Sequence, residues 1–362
     1  MKSLLRLLLK SQHQRKRSGP AQTDKGMTLV ELLVGAIMAF LILTPMLAFV
    51  VDMLNTDRRE QVKSNTEQDI QAAVDFIAQD LSQAIYIYDQ VGITALNATT
   101  QLPPPPLNTS GTPILVFWKR QQIKNAVPVN ATSTPKPSEC NPKALPGQAG
   151  ECNDTYVLSL VAYYQIKDTT PNSTWCQPSG GNCPTRIARY EIRDGVRKPD
   201  PVVGDNNLPY YNVSDTNPDT QQPDPAFNKD FDFSKPTEKV TVDTGLANPE
   251  SGAQQPQVLV NYIDHTTTGP TLSPTECKTA LGNPTDPKDT TEFLEEGTLK
   301  VTDTEGRNSF YACVDTARNI ARVTIRGNSL RRIQTDADYD PKKSAYFPTA
   351  SVQVQGLGAV GK

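Results

Sequence analysis

The sequence predicts an α+β protein in which one long N-terminal α-helix packs on an antiparallel β-sheet domain. Three patterns lead to this prediction. An uncharged apolar run of 20 residues, 32–51, comes early in the chain. Apolar residues then recur at helical spacing, and several later segments alternate apolar with mixed residues. A period near 3.6 indicates a helix and a period of two indicates half-buried strands, so the helix should extend from about Met27 to Tyr88.

Residues 1–26 form the first predicted segment, a basic leader peptide that is removed by cleavage. They carry seven Lys and Arg residues against one acidic residue, Asp24. Basic residues that flank a membrane span stay in the cytoplasm, so the chain after about residue 52 should lie outside. The apolar run is longer than the roughly 7–15 residues of a secretory signal peptide, and no small-residue cleavage site follows it. A processing signal must therefore lie on the basic side of the run.

Residues 27–54 form the predicted transmembrane half of the helix. A run of roughly 20 apolar residues is the length that crosses the hydrocarbon core of a bilayer. Pro45 lies inside this run, where it should kink the helix or loosen one turn rather than end it. Glu31 stands at the edge of the run, and an ionisable residue in that position is a candidate for function. The alternative is that Glu31 lies among the lipid headgroups and has no role.

Residues 55–90 form the predicted amphipathic half of the same helix, with Gly92 as its expected stop. Apolar or small residues recur at intervals of three and four, while charged residues fall mainly between them. The stripe consists of Val62, Thr66, Ile70, Ala73, Val74, Ile77, Leu81, Ala84, Ile85 and Tyr88. Such a stripe is typical of a helix that packs on its own domain.

Residues 91–362 form the predicted β-rich head, which contains 28 of the 30 prolines. Segments rich in Pro, Asn, Asp, Thr and Gln predict exposed or poorly ordered loops at 102–107, 127–150 and 217–236. Alternating segments predict strands at 156–166, 188–192 and 321–325. Shorter candidates for strands are 113–118, 257–263, 298–302 and 309–314.

The residues at the start of the predicted helix resemble a known family. The segment 26–31, Gly-Met-Thr-Leu-Val-Glu, is similar to the cleavage and methylation box of type IV prepilins and type II secretion pseudopilins. The resemblance implies a pilin-like fold and cleavage between Gly26 and Met27 by a prepilin peptidase, followed by methylation of the new amino terminus. It also implies that Glu31 is the assembly carboxylate, which pairs with the terminal amine of a neighbouring subunit.

The order of the predicted strands resembles a subgroup of this family. The segments 162–166, 186–192 and 323–327 are similar to those of large minor pilins and pseudopilins of the PilW and J types. The length and the loops are similar to the hormogonium polysaccharide secretion pseudopilins, the HpsC type. The resemblance implies a minor structural subunit of a filament that serves secretion (of polysaccharide in the HpsC type), surface motility or adhesion.

The resemblance also implies partners and a location. The expected partners are other pilin or pseudopilin subunits, the prepilin peptidase and the inner-membrane assembly platform. The expected location is the inner (plasma) membrane, crossed once, with a cytoplasmic N-terminus, a periplasmic or extracellular head, and incorporation into a filament after processing. Without the leader the chain has 29 basic and 38 acidic residues, a net charge of −9. This acidic balance gives no footprint for nucleic acid.

All six cysteines lie in the head, on the side predicted to be exported. They are Cys140, Cys152, Cys176, Cys183, Cys277 and Cys313. An even number of cysteines in an oxidising compartment suggests disulfides, and 15 pairings are possible. We favour nearest neighbours along the chain, because 140–152 and 176–183 would each close a loop without crossing the sheet. A zinc site is not expected, because no C-x2-C spacing occurs.

Calcium is the one cofactor that the sequence leaves open. Asp336, Asp338 and Asp340 alternate as the carboxylates of a calcium loop do. However, Pro341 stands where an EF-hand needs Gly, and Phe347 stands where it needs Glu. We therefore favour a solvated acidic turn.

No catalytic constellation is present, so we expect no enzymatic activity. Outside the leader the chain has a single histidine, His265, which we expect at the surface. No phosphate loop and no H-E-x-x-H sequence occurs.

Two alternatives from other functional classes stay open. A signal-anchored membrane glycoprotein would account for six N-x-S/T sequences, at Asn97, Asn108, Asn130, Asn153, Asn172 and Asn212. An intact Met1 on the mature protein would favour it. A membrane-anchored hydrolase with an extracytoplasmic domain would use the acidic loops. Activity that is lost on changing a single carboxylate would favour that alternative.

Overall fold

The computed structural model describes residues 28–129, 136–198, 210–211, 222–240, 256–283 and 294–358. Gly26 and Met27, at the predicted cleavage site, lie outside these residues. The chain divides into two compact units, residues 1–58 and residues 59–362. A long N-terminal helix and antiparallel sheets make up the described part, as predicted for an α+β protein.

The long helix, α1, spans Leu29–Ser82 and continues through Pro45. It ends six residues earlier than predicted, because β1 (Ala84–Ile87) pairs antiparallel with the next strand instead. The predicted boundary near residue 90 is therefore wrong. The sequence of β1, Ala-Ile-Tyr-Ile, is compatible with both a helix and a strand. It forms a strand because it can pair with the edge of the following strand.

A short helix, α2 (Gln90–Ala98), follows β1 and was not predicted. Asp89 caps it, because its Oδ1 accepts the Gly92 N–H at 2.8 Å. Gly92 thus lies in the first turn of a helix rather than marking the end of one.

The larger sheet has five antiparallel strands in the order β1-β2-β3-β4-β5. After β1 these are β2 (Thr109–Pro128), β3 (Cys152–Asp168), β4 (Thr185–Arg193) and β5 (Gln257–Ile263). Each contains one of the predicted strands. β2 and β3 form a ladder that runs from Thr109 opposite Asp168 to Pro128 opposite Cys152.

The smaller sheet has the order β6-β7-β8-β9. Its strands are β6 (Lys300–Val301), β7 (Phe310–Asp315), β8 (Ile320–Arg326) and β9 (Thr349–Gln355). The helices α3 (Glu276–Leu281) and α4 (Glu296–Leu299) precede it. The predicted strand 298–302 is wrong at its start, because Thr298 and Leu299 belong to α4. β9 was not predicted.

The second half of α1 packs on both sheets. Its buried apolar and small residues are Thr66, Ile70, Ala73, Val74, Ile77 and Leu81, which all belong to the predicted stripe. They share one core with buried residues of both sheets, among them Trp118 and Val323. A Cβ at Gly327 would lie 2.4 Å from Ile70 Cδ1, so the chain after β8 approaches the helix as closely as glycine permits.

The proline-rich segment 102–107 is not the exposed loop that its composition predicted. Leu102 is buried in the core. The Tyr164 hydroxyl donates to the Pro103 carbonyl at 2.7 Å, and the Tyr190 hydroxyl donates to the Pro104 carbonyl at 3.1 Å. Prolines cannot donate to a ladder, but their carbonyls accept hydrogen bonds from tyrosines that project from the sheet.

The segment 217–236 is also less exposed than predicted, within its described residues 222–236. Phe227 is buried, and Phe231 stacks on Trp118 with ring centroids 4.3 Å apart. Two aromatic residues among many polar ones are enough to hold this loop against the core.

A buried carboxylate joins α1 to the larger sheet. Asp80 Oδ1 lies 3.0 Å from Lys119 Nζ, and its Oδ2 accepts from Arg189 Nε and from the Tyr163 hydroxyl, each at 2.7 Å. Glu191 lies 3.3 Å from Lys119 and 2.7 Å from Arg189. Burial opposes the charge of Asp80, but the hydrogen bond and charge of Arg189, with Lys119, hold its pKa below the ordinary 3.8. The group therefore ties the helix to β2, β3 and β4.

We predict that Asp80→Asn lowers the free energy of unfolding by about 3–5 kcal/mol, because it leaves buried cations without their partner. Asp75→Asn, an exposed change on the same helix, should stay within about 0.5 kcal/mol of wild type. Urea unfolding of the full chain in detergent measures both.

The pH dependence of the Asp80→Asn effect provides a control. The folded-state pKa of Asp80 lies below 3.8, so its stabilisation is complete above that pH and is lost as pH falls through the folded value. The difference between wild type and Asp80→Asn should shrink in acid. A difference that stays constant into strong acid would contradict the ion-pair account.

Candidate membrane anchor and assembly site

The first half of α1 exposes an unbroken apolar surface. All 18 large apolar side chains from Leu29 to Leu54 are between 45% and 83% exposed. The mean hydropathy of the most apolar window of α1 is 2.5, and the helix is long and apolar enough to cross a membrane. At 1.5 Å per residue, the uncharged run 32–51 covers roughly 30 Å, the thickness of a hydrocarbon core.

The polar groups inside this run are largely satisfied by the helix itself. The Thr44 hydroxyl donates to the Phe40 carbonyl at 2.8 Å, so it presents no free donor to an apolar surrounding. Pro45 has no N–H for the Leu41 carbonyl, and transmembrane helices tolerate such a position. The segment can therefore lie in lipid at little polar cost.

Glu31 lies in the first turn of α1, directly before the uncharged run, and its side chain is exposed. The helix starts after Thr28, whose Oγ1 accepts the Glu31 N–H at 3.3 Å and whose carbonyl accepts the Leu32 N–H at 3.1 Å. Thr28 is thus the N-cap, and Glu31 is the third residue of the helix. A carboxylate in this position also interacts favourably with the helix dipole.

The spacing of Thr28 and Glu31 matches a capping box, in which a glutamate three residues after the N-cap supports the start of the helix. The spacing therefore gives Glu31 a capping role, in addition to the subunit pairing that the family resemblance implies. Glutamine serves the capping role as well as glutamate does. Replacement by glutamine therefore separates the two roles, because it removes only the charge.

Three disulfides form in the head: Cys140–Cys152, Cys176–Cys183 and Cys277–Cys313. These are the nearest-neighbour pairs that the sequence analysis favoured. Cys277–Cys313 joins α3 to β7 across 36 residues and lies in a small apolar cluster with Leu281 and Leu299. This disulfide attaches the segment that contains α3 to the smaller sheet.

A buried arginine organises the loop that Cys176–Cys183 closes. Arg331 donates from Nε to the Asn182 carbonyl at 2.8 Å, and from its terminal nitrogens to the Pro178 and Gly180 carbonyls at 3.1 and 3.2 Å. Burial lowers the pKa of Arg331, while the interactions with Tyr262 and Asp336 act in the opposite direction and raise it. Nothing in the sequence distinguishes Arg331 from a surface arginine, since its partners are carbonyls from a distant loop.

The three carboxylates of the acidic turn have different surroundings in the structure. Asp338 Oδ1 lies 3.1 Å from His265 Nε2, while Asp340 Oδ1 accepts the Lys342 N–H at 2.9 Å and caps a short 3₁₀ turn. Asp336 is exposed beside Gly181. Within the described ranges, no group of three or more histidine, cysteine or acidic residues is placed to hold a metal ion.

His265 is buried, so the prediction that it lies at the surface is wrong. Burial lowers the pKa of His265 below the usual 6.5, and the positive charges of Lys167 and Arg331 lower it further. The negative charges of Asp264 and Asp338 act in the opposite direction but do not cancel this shift. The imidazole is therefore neutral at pH 7. It joins the segment after β5 to the acidic turn, a contact between residues 73 positions apart that no local pattern reveals.

A cavity of about 410 Å³ lies beside the start of β3, and its lining includes Tyr156, Phe233 and Asp194. Asp194 accepts from the Tyr210 hydroxyl at 2.5 Å and from Arg197 Nε at 3.0 Å. Its Oδ1 also accepts the adjacent Gly195 N–H at 2.8 Å. These hydrogen bonds hold the Asp194 carboxylate in place at the edge of the cavity.

Comparisons with models of protein families, with curated proteins and with solved structures found no match to this chain.

We predict that protein from its native compartment contains no free thiol among the six cysteines. Peptide mapping without reduction should recover the three pairs of the structure, because an oxidising compartment maintains such bonds. The same sample after unfolding and reduction should yield six reactive thiols. Unpaired cysteines in the unreduced sample would contradict an exported head.

Proposed function

We propose that the chain is a minor pilin or pseudopilin, a structural subunit of a filament related to type IV pili or type II secretion. Helix α1 anchors it in the inner (plasma) membrane with the amino terminus in the cytoplasm and the head outside. After cleavage between Gly26 and Met27 the chain enters the filament. The filament serves secretion, surface motility or adhesion. In the subgroup that this chain resembles, the secreted material is polysaccharide.

One observation carries this proposal: Glu31 lies in the first turn of a helix that continues at once into 20 uncharged residues. The segment before it supplies the Gly26–Met27 bond and a basic leader. The Glu31 backbone N–H bonds to Thr28 Oγ1, but the Glu31 carboxylate makes no hydrogen bond or ion pair with another described residue. The proposal gives it a partner on another subunit.

The energetics favour such a partner. A buried charge in an apolar medium costs several kcal/mol, on the order of magnitude, unless it is paired. The amine that cleavage creates at Met27 of an adjacent helix would supply the opposite charge. Because pairing succeeds at one relative position only, it would also set the register between neighbouring helices.

The size of the head supports a minor rather than a major subunit. Removal of 26 residues from 362 leaves 336, of which the compact unit 59–362 is by far the larger part. In a filament built by close packing of helices, the space available to each head around the helical core is limited. A head with two sheets and long connections fits at a tip or at scattered positions more easily than at every position.

The alternatives explain less of the chain. Asn97, Asn108, Asn153 and Asn172 are exposed, as glycosylation requires, while Asn130 and Asn212 lie outside the described residues. Exposure alone does not account for the order of Gly26, Thr28 and Glu31 before an apolar run, which the filament proposal does.

We predict that Gly26→Leu accumulates as uncleaved precursor, because a bulky side chain then occupies the position before the cut. Gly35→Ala is the matched control, since a Cβ at Gly35 meets nothing within 4 Å, and it should be processed normally. Immunoblots of membrane fractions distinguish the two forms by size. Normal processing of Gly26→Leu would refute the proposed cleavage site.

We predict that Glu31→Gln reduces incorporation into sheared filaments at least about tenfold, which corresponds to a loss of about 1.4 kcal/mol. Cleavage and membrane insertion should not change, because glutamine keeps the shape and the capping role. Glu31→Ala should behave in the same way. Quantitative mass spectrometry of filament and membrane fractions measures the ratio.

Glu60→Gln is the control for Glu31→Gln, because it removes the same charge from an exposed position of the same helix beyond the apolar run. It should incorporate as wild type does. Wild-type incorporation of Glu31→Gln would show that the carboxylate is only tolerated. If the chain proves to be the most abundant pilin, the minor-subunit proposal fails.

A further inference from the structure

A single 3₁₀ turn after β8, Leu330–Arg332, carries two consecutive arginines with different partners. Arg331 is fully buried and reaches into the loop 176–183, whose ends are joined by a disulfide and which we call the disulfide loop. Arg332 donates to the carboxylate of Asp69 on α1. That ion pair is partly exposed and contributes little by itself, but it shows that the turn lies between the disulfide loop and the long helix.

The disulfide loop supplies most of the hydrogen-bond acceptors of the Arg331 guanidinium. Three of these acceptors are backbone carbonyls of the loop, those of Pro178, Gly180 and Asn182. A fourth is the Gln334 carbonyl at 3.3 Å, and Cys176 Sγ lies 3.9 Å from a terminal nitrogen. None of these acceptors is a carboxylate. The buried charge is therefore stabilised by carbonyl dipoles, and it depends on the conformation of the loop that provides them.

The sequence of the disulfide loop cannot hold these carbonyls in place without the disulfide. Between its two cysteines the loop contains consecutive glycines, Gly180 and Gly181, with φ of 103° and 65°. Glycine has more conformational freedom in an open chain than any other residue, so an open loop of this sequence would adopt many conformations. A covalent bond between its ends removes most of that freedom. The disulfide thus fixes the acceptors around Arg331.

Arg331 in turn fixes the chain that packs on α1. Its backbone N–H donates to Asn328 Oδ1 at 3.1 Å, which ties the turn to the residues that follow β8. The residue before Asn328 is Gly327, where a Cβ would lie 2.7 Å from Thr66 Cγ2 of α1. Because only four residues separate Arg331 from this close contact, a displacement of the Arg331 side chain would also displace the chain from the helix.

We propose that the Cys176–Cys183 disulfide and Arg331 form one redox-dependent unit that controls how firmly the chain after β8 packs on α1. In the oxidised state the disulfide loop binds Arg331, and Arg331 holds the turn beside the helix. In the reduced state the loop opens and the buried guanidinium loses three acceptors, which is unfavourable for a charged group. Since oxidation requires an oxidising compartment, the contact with α1 is completed only after export. This timing rests on the proposed function, whereas the coupling itself does not.

The chemical step is a thiol–disulfide exchange in which another disulfide is the oxidant. The thiols of Cys176 and Cys183 lose two electrons and two protons, and the S–S bond forms between their sulfurs. The S–S bond of the oxidant breaks, and its two sulfurs take up the electrons and protons as thiols.

Arg331→Met in the full chain in detergent tests the coupling. Because a coupling between two sites is reciprocal, loss of the guanidinium should make Cys176–Cys183 easier to reduce. Its oxidation equilibrium constant in dithiothreitol buffers at pH 7 should fall at least about tenfold, or about 30 mV. Cys140–Cys152 in the same molecules is the internal control and should stay within twofold of wild type. Alkylation of free thiols followed by peptide mass spectrometry measures each pair.

The proximity of Arg331 to Cys176 Sγ makes the opposite result informative. A guanidinium that acted mainly by stabilising the Cys176 thiolate would favour the reduced state. Arg331→Met would then make the disulfide harder to reduce. That result, or an unchanged equilibrium constant, would overturn the proposal.

Hydrogen exchange decides the matter if Arg331→Met does not fold. In a variant with Cys176→Ser and Cys183→Ser, backbone amides of 66–74 and 327–334 should exchange at least about tenfold faster than in wild type, because the turn no longer holds the helix contact. The variant with Cys140→Ser and Cys152→Ser is the matched control, and both segments should exchange within twofold of wild type. Unchanged exchange in the first variant would refute the coupling.

Both measurements use protein outside filaments, so their failure would leave the filament proposal intact. Conversely, absence of the chain from filaments would refute the filament proposal and leave the coupling of Arg331 to the disulfide intact.

Discussion

The contact between the second half of α1 and both β-sheets is the interaction on which the head depends. The stripe from Thr66 to Leu81 is buried among residues of both sheets, and Gly327 brings the smaller sheet against the helix. Asp80 adds a polar connection, because its carboxylate can be buried only where Lys119 and Arg189 meet it. The apolar stripe supplies the burial and Asp80 fixes the position of the helix along the sheet.

The same helix carries a second surface with opposite requirements. Its apolar side chains from Leu29 to Leu54 are all exposed, and water is a poor solvent for such a surface. A bilayer satisfies it, and so do other apolar helices. Glu31 and the capped start at Thr28 lie at the N-terminal end of this surface. A filament subunit needs both properties in one helix. Its apolar half contacts lipid before assembly and neighbouring helices afterwards, while its second half stays packed on the sheets of its own head.

The sequence was most informative where a period extends over many residues. The stripe of α1 and the alternation in β3, β4 and β8 were predicted because burial on one face imposes a repeat that survives in a single sequence. Segment ends were predicted poorly. β1 reads as a continuation of the helix, and becomes a strand only because β2 offers it an edge. The prolines at 103–106 indicate a loop until Tyr164 and Tyr190 bind their carbonyls.

The residues of the candidate site also differ in how far the sequence could predict them. The three cysteine pairs were predicted correctly as nearest neighbours along the chain, whereas the role of Glu31 stays a prediction. The contacts of Asp80, His265 and Arg331 were not predicted, because each is explained only by partners far along the chain. The position of β9 at the end of the smaller sheet could not be predicted either, since it depends on the order of the strands.

Processing and assembly of this chain as a pilin-like subunit, as we propose, would leave a mature amino terminus at Met27. Mass spectrometry of the chain recovered from sheared filaments should find a mature protein that begins with N-methylated Met27. A chain that retains Met1, or that begins at a residue beyond the apolar run, would contradict the account.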